Sequence, residues 1–325
     1  MNIVYASDNN FAEILGISMT SLFENNKSSS EIVVYILDDG INEENKENLK
    51  LISDRYGRQL DFIDVKPLLN SEMNQERGSL STFSRLYMEK LIPSDVRKLL
   101  YIDCDIIVSD SLEEMYSTDI SEVYCAGISD CLSDAHLELI GLKSGDNYFN
   151  AGVLLVNLDM WRTEKMCDRF ETFSDSYNGN VPYADQDIIN GVLSHKSIAL
   201  DLKNNFYTAL YDFSYKDLMI FRKPSKFYSE EEVEEAKKNP VIVHFTTSFL
   251  SLRPWIEGCQ HPFAKEWIRY KAMTPWADVP MRADNRSAKK KLAVKVYKMM
   301  PNNLAVGIAG LLHSKIVPML RRRGK

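Results

Sequence analysis

Short β-rich runs separated by helical stretches recur along the first 65 residues, and this alternation constrains the fold more than any other feature of the chain. "NIVYA" (2–6) and "EIVVYIL" (31–37) bracket a helical pattern from Phe11 to Phe23, and a second helical stretch, 42–56, leads to "QLDFIDV" (59–65). Such alternation predicts βαβ units and a mostly parallel sheet covered by helices on both faces. "KLLYID" (98–103) fits as a central strand, followed by a short "IIV" and a helix near 111–117. "VYCAGIS" (123–129), "YFNAGVLLVNL" (148–158) and "PVIVHF" (240–245) read as further strands. Helices are expected from Asp159, taken as an N-cap, to Tyr177, and from Asp185 to Leu193. With 325 residues, 45% hydrophobic and 26% charged, the chain suits one large α/β domain or two smaller ones. Its five cysteines (104, 125, 131, 167, 259) contain no C-x-x-C pair, which argues against a disulfide framework or a zinc site. The start, "MNIVYASDNN", has neither a basic n-region nor a long apolar run, so a cytosolic protein is expected.

The first strand is followed by "SDNNFAEILG", with no G-x-G-x-x-G and no G-x-x-x-x-G-K-[ST]. Dinucleotide-binding and P-loop readings drop out, as does a nucleotidyltransferase with a glycine-rich phosphate loop. Whatever binds at this sheet is held mostly by side chains. The central strand runs into Asp103 and Asp105, and buried carboxylates are costly unless paired, hydrogen-bonded or bound to a metal. Residues i and i+2 of an extended segment point to one side, so the two can converge on a cation while Cys104 turns into the apolar layer. Hard oxygen ligands suit Mg²⁺ or Mn²⁺, and an added imidazole favours Mn²⁺. His244 also closes a strand, and in open parallel sheets ligands sit at the carboxyl ends of strands. A D-x-D in a chain with 46 acids is a weak signal by itself. A second one, Asp185-Gln186-Asp187, opens a helix, where acids often serve only as caps or dipole complements.

Six segments occur in a familiar order: "YASDNN", "STFSRLY" (81–87), "YIDCDIIV" (101–108), "YFNAGVLLVNL", "DQDIIN" (185–190) and "VHF…RPW" (243–255). In these the chain resembles, over roughly residues 1–275, the bacterial glycosyltransferases of family 8, which include lipopolysaccharide galactosyl- and glucosyltransferases and have glycogenin as a relative. The resemblance implies a GT-A, Rossmann-like nucleotide-sugar-binding fold over residues 1–278. It also implies a UDP-sugar donor (UDP-galactose or UDP-glucose), Mn²⁺ with Mg²⁺ as a substitute, and transfer with retention to a glycan or glycolipid acceptor. Asp103, Asp105 and His244 then match the metal ligands. Ala6, Asp8 and Asn10 match the uridine pocket, with Phe11 beside them and Cys104 between the two aspartates. Arg85, Asp130, Asn150 and Asp185 would surround the donor sugar, and Gln186 would lie on the β-face of the anomeric carbon. A glutamine is a poor nucleophile, which favours front-face transfer over the carboxylate chemistry of retaining hydrolases.

The chain departs from the family pattern in three places. Phe11 stands where many members have tyrosine, Thr247 where glycine is usual and Arg253 where lysine is usual, with about three extra residues after His244. Arg253 can still pair with a diphosphate. The polar loop "ERGSLSTFSR" (76–85) reads either as an acceptor loop or as ordinary surface, and the aromatics of "NNFYTALYDFSY" (204–215) as a sugar-stacking wall or as core.

From residue 281 onward twelve Lys and Arg stand against one acid, Asp284, although the whole chain carries −7. Leu292, Val296 and Met299/Met300 share one helical face with lysines on the other. Residues 279–325 therefore read as a basic amphipathic tail resting on an anionic membrane surface at the inner face of the cell membrane. The segment 304–312 is too short to span a bilayer, and its extension to Leu320 takes in His313, Lys315 and Pro318. A disordered solubilising tail is the plain alternative; nucleic acid is disfavoured because the acidic body repels phosphate. Other readings of the whole chain are a catalytically silent UDP-sugar-binding protein and a self-glycosylating enzyme of the glycogenin kind.

Overall fold

The computed structural model describes residues 1–69 and 80–323. Ten strands form two sheets: β1 (Asn2–Asp8), β2 (Val33–Asp39), β3 (Gln59–Asp64), β4 (Lys98–Ile102), β5 (Ile106–Val108), β6 (Cys125–Ser129), β7 (Phe149–Asn157), β8 (Ser197–Ala199), β9 (Phe206–Tyr207) and β10 (Ile242–His244). The main sheet has the order β3-β2-β1-β4-β7-β6-β8. Only β7 runs against the rest, pairing antiparallel with both β4 and β6, so the sheet is mostly parallel, as its pattern predicts. Alternate residues serve opposite faces. Ile3, Tyr5, Leu100 and Ile102 join one core with the helix Ala12–Asn25, while Val4, Leu99 and Tyr101 join another with the helices Leu158–Thr163 and Ala184–Leu193.

This topology assembles one sheet edge. β1 ends there with Asp8, Asp103 directly follows the end of β4, and β7, running the other way, begins there with Phe149, Asn150 and Ala151. After β4 the chain leaves the main sheet at Asp103 and enters the small sheet β5-β10-β9, where His244 pairs with Ile106 and Tyr207. Asp103–Asp105 is thus the corner between two sheets, pinned by Asp103 N–H to Gly152 O at 2.8 Å and Phe245 N–H to Asp105 O at 2.8 Å.

Local boundaries differ from the sequence expectation where capping decides them. β2 begins two residues late and ends at Asp39. The helix expected from Asp159 to Tyr177 is two helices, Leu158–Thr163 and Met166–Ser176. Its cap is Asn157, whose side chain accepts from Met160 N–H at 3.0 Å, and Lys165 breaks it at φ 52°. Residues 76–79 of the loop 76–85 lie outside the described residues, so its acceptor reading rests on residues 80–85 alone.

Residues 279–323 are folded, and parts of them pack on the body. Arg282 N–H bonds Trp255 O at 2.7 Å and Glu257 N–H bonds Arg282 O at 2.9 Å, so the body holds the chain past Met281. The helices Ala288–Met299, Asn302–Leu311 and Val317–Arg323 follow, the last two joined by a wide turn over 312–316. The disordered-tail alternative therefore fails: Ala305, Val306, Gly310 and Ser314 are buried.

Candidate active site

Two clefts meet at the corner described above. The smaller, of about 230 Å³, is lined by Ala6, Asp8, Phe11, Tyr101 and Cys104 among others. The larger, of about 410 Å³, is lined by Asp130, Asn150, Asp185, Gln186, Tyr207 and His244 among others. Thr82, Arg85, Asp103, Asp105 and Arg253 belong to both. The structure thus brings the sequence-selected residues into one continuous depression, apart from Asn10, which is exposed beside it and lines neither part.

Asp103, Asp105 and His244 each offer one ligand atom, and these atoms lie within 4.8 Å of one another. His244 Nε2 is 3.2 Å from Asp105 Oδ1 and 3.8 Å from Asp103 Oδ2. An octahedral ion with bonds near 2.1 Å holds neighbouring ligands about 3 Å apart, so little movement separates this cluster from a metal site. His244 Nδ1 faces Asn205 Oδ1 at 3.0 Å, a contact that orients the ring with Nε2 toward the aspartates. Asn205 Nδ2 in turn donates to Asn150 Oδ1 at 2.9 Å. A Cβ on Gly152 would lie 2.3 Å from His244 Cε1 and 2.8 Å from Asp103 Oδ2, so only glycine leaves room for the cluster here. Two carboxylates with one imidazole form a donor set that fits Mn²⁺, with Mg²⁺ the harder alternative.

The carboxylate charges are met by arginines. Arg85 Nη2 lies 2.9 Å from Asp103 Oδ1, its Nε lies 2.9 Å from Asp185 Oδ2, and its Nη1 donates to Ala151 O at 2.8 Å. Burial works against the Arg85 charge, but the two carboxylates outweigh it and raise its pKa. Tyr101 O–H also donates to Asp103 Oδ1 at 2.9 Å. Burial lifts the Asp185 carboxyl to about 6, with Arg85 opposing and Asp103 adding to the rise. For Asp105 burial acts upward, yet His244 and Arg253 prevail and hold it below the usual carboxylate range. Arg253 Nη2 sits 3.0 Å from Asp105 Oδ2 and 2.9 Å from Thr247 Oγ1, with Trp255 beneath its guanidinium. The loop between them is anchored by Ser248 and Ser251, both donating to Asp212.

Asp8 caps the turn after β1 by accepting from Phe11 N–H at 3.0 Å, and Phe11 packs edge-on against Trp255. Cys104 turns inward, its Sγ 3.2 Å from Ala6 O, and burial raises its pKa, so it is no thiolate nucleophile. Gln186 is held at three points: Oε1 accepts from Ala151 N–H at 3.1 Å, and Nε2 donates to Asp130 Oδ2 and Tyr148 O–H, each at 3.2 Å. The second D-x-D divides its labour. Asp187 takes the capping part, accepting from Tyr183 N–H at 2.7 Å, whereas Asp185 faces Arg85.

Sequence reasoning missed Tyr101, Tyr148, Asn205 and Arg222. Tyr101 stands two residues before Asp103, a spacing that in extended backbone places it on the same face; nothing local marks the others. The aromatics of 204–215 divide: Tyr207 lines the cleft, while Phe206, Tyr211 and Phe213 belong to the core.

The family model of glycosyl transferase family 8 matches residues 2–258. General stress protein A of Bacillus subtilis (strain 168) is 24% identical over 290 residues, covering 88% of this chain and 98% of its own length. A lipopolysaccharide 1,2-glucosyltransferase of Escherichia coli is 26% identical over 305 residues, 91% of this chain and 84% of that one. Among solved structures, the galactosyltransferase LgtC in complex with donor and acceptor sugar analogues superposes with a TM-score of 0.72 at 26% identity. It covers 85% of this chain and 96% of LgtC.

Proposed function

The chain belongs to glycosyl transferase family 8 and has the GT-A fold, and from that premise we propose that it transfers galactose or glucose from a UDP-sugar to a cell-surface glycan or lipid-linked acceptor, with retention and with Mn²⁺. One observation carries this reading: a carboxylate–carboxylate–imidazole cluster stands where a cleft beginning at Ala6, Asp8 and Phe11 opens into one ending at Asp130, Asp185 and Gln186. A nucleotide in the first part and a hexose in the second would place the diphosphate at the junction. The relatives' names, a glucosyltransferase and a galactosyltransferase, support a hexose donor.

Asp103, Asp105 and His244 would hold the metal, which when bound supplies Lewis-acid stabilisation to the leaving diphosphate. The chain's own residues do the rest. Arg253 offers a planar fork at the same junction, suited to a phosphate oxygen. Arg85 has its donors committed to Asp103, Asp185 and Ala151, so it fixes the two carboxylates against each other. Asp130, Asn150 and Asp185 offer acceptors for sugar hydroxyls. The Gln186 oxygen is engaged by a backbone N–H, and using it as a nucleophile would break that bond. Gln186 therefore serves as a polar wall beneath the anomeric carbon while the acceptor attacks from the front face.

Calorimetric titration of UDP, UDP-galactose and UDP-glucose, with Mn²⁺ and with EDTA, tests the reading. Metal-dependent binding abolished in Asp105→Ala is expected, and the sugar that is hydrolysed or transferred names the donor. Binding indifferent to metal, or no binding, overturns it. In the cell the enzyme would lie on the cytoplasmic face of the membrane, held by the exposed apolar and basic surface of residues 288–323. The segment Asn302–Arg322 is long and apolar enough to cross a bilayer. Its docking on the body through Ala305, Val306 and Gly310 favours a peripheral position instead.

A further inference from the structure

Arg222 is a cation of the cleft that no motif singles out. It ends the helix Tyr215–Arg222 and lines the larger cleft beside Asp130, Leu132, Tyr183 and Tyr207, but not the smaller one. The other two arginines of the cleft are matched by carboxylates, Arg85 by Asp103 and Asp185 and Arg253 by Asp105. Among the described residues no carboxylate pairs with Arg222. Its Nη1 instead donates to Nε2 of His313 at 2.7 Å. Burial, reinforced by the arginine itself, pushes His313 down to about 3, so the ring is neutral at ordinary pH and cancels none of the charge.

His313 comes from the C-terminal segment, and its position is built. Tyr183 O–H lies 3.4 Å from the same Nε2, Ser133 Oγ donates to Ser314 O at 3.4 Å, and Arg322 pairs with Glu138. Gly310 meets the body so closely that a Cβ there would stand 2.4 Å from Ile220 O, one helical turn from His313. A guanidinium aimed by a neutral partner into an open cleft keeps its charge and its forked donors available to an oxyanion. The neighbouring wall is otherwise acidic, with Asp130 and Asp185, so an anionic ligand would be repelled there without a local cation.

We propose that Arg222 recognises an anionic substituent, phosphate or carboxylate, on the acceptor sugar, and that His313 is the positioning residue that aims it. This rests on the glycosyltransferase reading and narrows the acceptor to acidic or phosphorylated glycans. It also makes the C-terminal segment a support behind the active-site wall.

The test uses the full-length protein saturated with Mn²⁺ and UDP, titrated with glucose 6-phosphate, glucuronate and glucose. The charged sugars are expected to bind about tenfold more tightly than glucose, the usual weight of one charge-assisted contact. Glucose 6-phosphate against glucuronate tells which anion the site prefers. Arg222→Gln should abolish the preference and Arg222→Lys keep part of it. His313→Ala should reduce it and His313→Gln, whose amide oxygen can accept the same hydrogen bond, restore it. A merely structural role would weaken all three sugars alike. UDP binding by each variant, measured in the same cell, reports whether it is folded. Equal or undetectable binding of the three sugars to a protein that binds Mn²⁺ and UDP overturns the proposal. So does an Arg222→Gln variant that weakens UDP-glucuronate relative to UDP-glucose but spares the free sugars, because the arginine then reads the donor. Failure of UDP to bind strikes the transferase reading itself.

Discussion

His244 can present Nε2 to the two aspartates because its other nitrogen is committed to Asn205, and that commitment is where a single substitution should be most informative. Outer partners of metal ligands typically contribute ten- to a hundredfold in affinity. Asn205→Ala should therefore weaken Mn²⁺ binding by about that factor, read by calorimetry or by the electron-spin signal of free Mn²⁺, with the far-ultraviolet dichroism preserved. Unchanged Mn²⁺ affinity would show that the imidazole needs no such partner. The candidate ligands were legible in the sequence, because Asp103 follows a buried strand and His244 ends one, and a carboxylate in that position asks for a partner. Asn205 was not legible: an asparagine in a polar turn is unremarkable until the fold brings it under a histidine 39 residues away. Ala184 was equally hidden. It adopts φ 48°, a left-handed conformation that costs an L-residue roughly 1–2 kcal/mol, directly before the two residues that face the cleft, Asp185 and Gln186.

Among the elements, those whose burial is written in large apolar residues were readable, and those that pack through small residues were not. β4 and β7 are runs of Leu, Ile and Val, and their place in the sheet follows from that. The helix Asn302–Leu311 looks from its sequence like an isolated apolar segment, yet it docks on the helix Tyr215–Arg222 through Ala305, Val306 and Gly310. A glycine at such a crossing carries no hydrophobic signal; its contribution is the close approach it allows. The same element supplies its own control, because a Cβ on Gly307 would meet nothing within 4 Å. Gly307→Ala should leave stability unchanged or raise it by up to about 1 kcal/mol through helix propensity. Gly310→Val, forced against the Ile220 carbonyl, should cost about 1–3 kcal/mol and expose the C-terminal segment to limited proteolysis. Equal behaviour of the two variants in thermal unfolding would mean that this helix is not docked in solution.

Over the whole molecule, charge and apolar surface are segregated in the same direction. The basic residues gather beyond residue 281, and most of the large exposed hydrophobics lie there too: Leu292 at 62%, Met299 at 76% and Leu304 at 53%, with Ile308, Leu311 and Leu320 beyond them. The helix Ala288–Met299 has no fully buried residue, although its Tyr297 packs edge-on against Phe249 of the body. Water-exposed apolar patches of this extent usually mark a contact surface, and cations interleaved with them fit anionic lipid. Each Lys or Arg near such a surface is worth about 1 kcal/mol, and burying a leucine or methionine roughly 1.5–3 kcal/mol. A variant carrying Leu292→Glu, Met299→Glu and Leu304→Glu removes only outward-facing groups, so the fold should stand. Its cosedimentation with phosphatidylglycerol vesicles should fall more than about tenfold. Phosphatidylcholine vesicles should bind even the unaltered protein weakly, since they lack the charge. Undiminished sedimentation of the triple variant with anionic vesicles would exclude this surface as the anchor. Because the inner side of the same segment carries His313 to Arg222, a surface that does bind lipid would bring the Arg222 end of the cleft to the membrane, where the proposed lipid-linked acceptor would be presented.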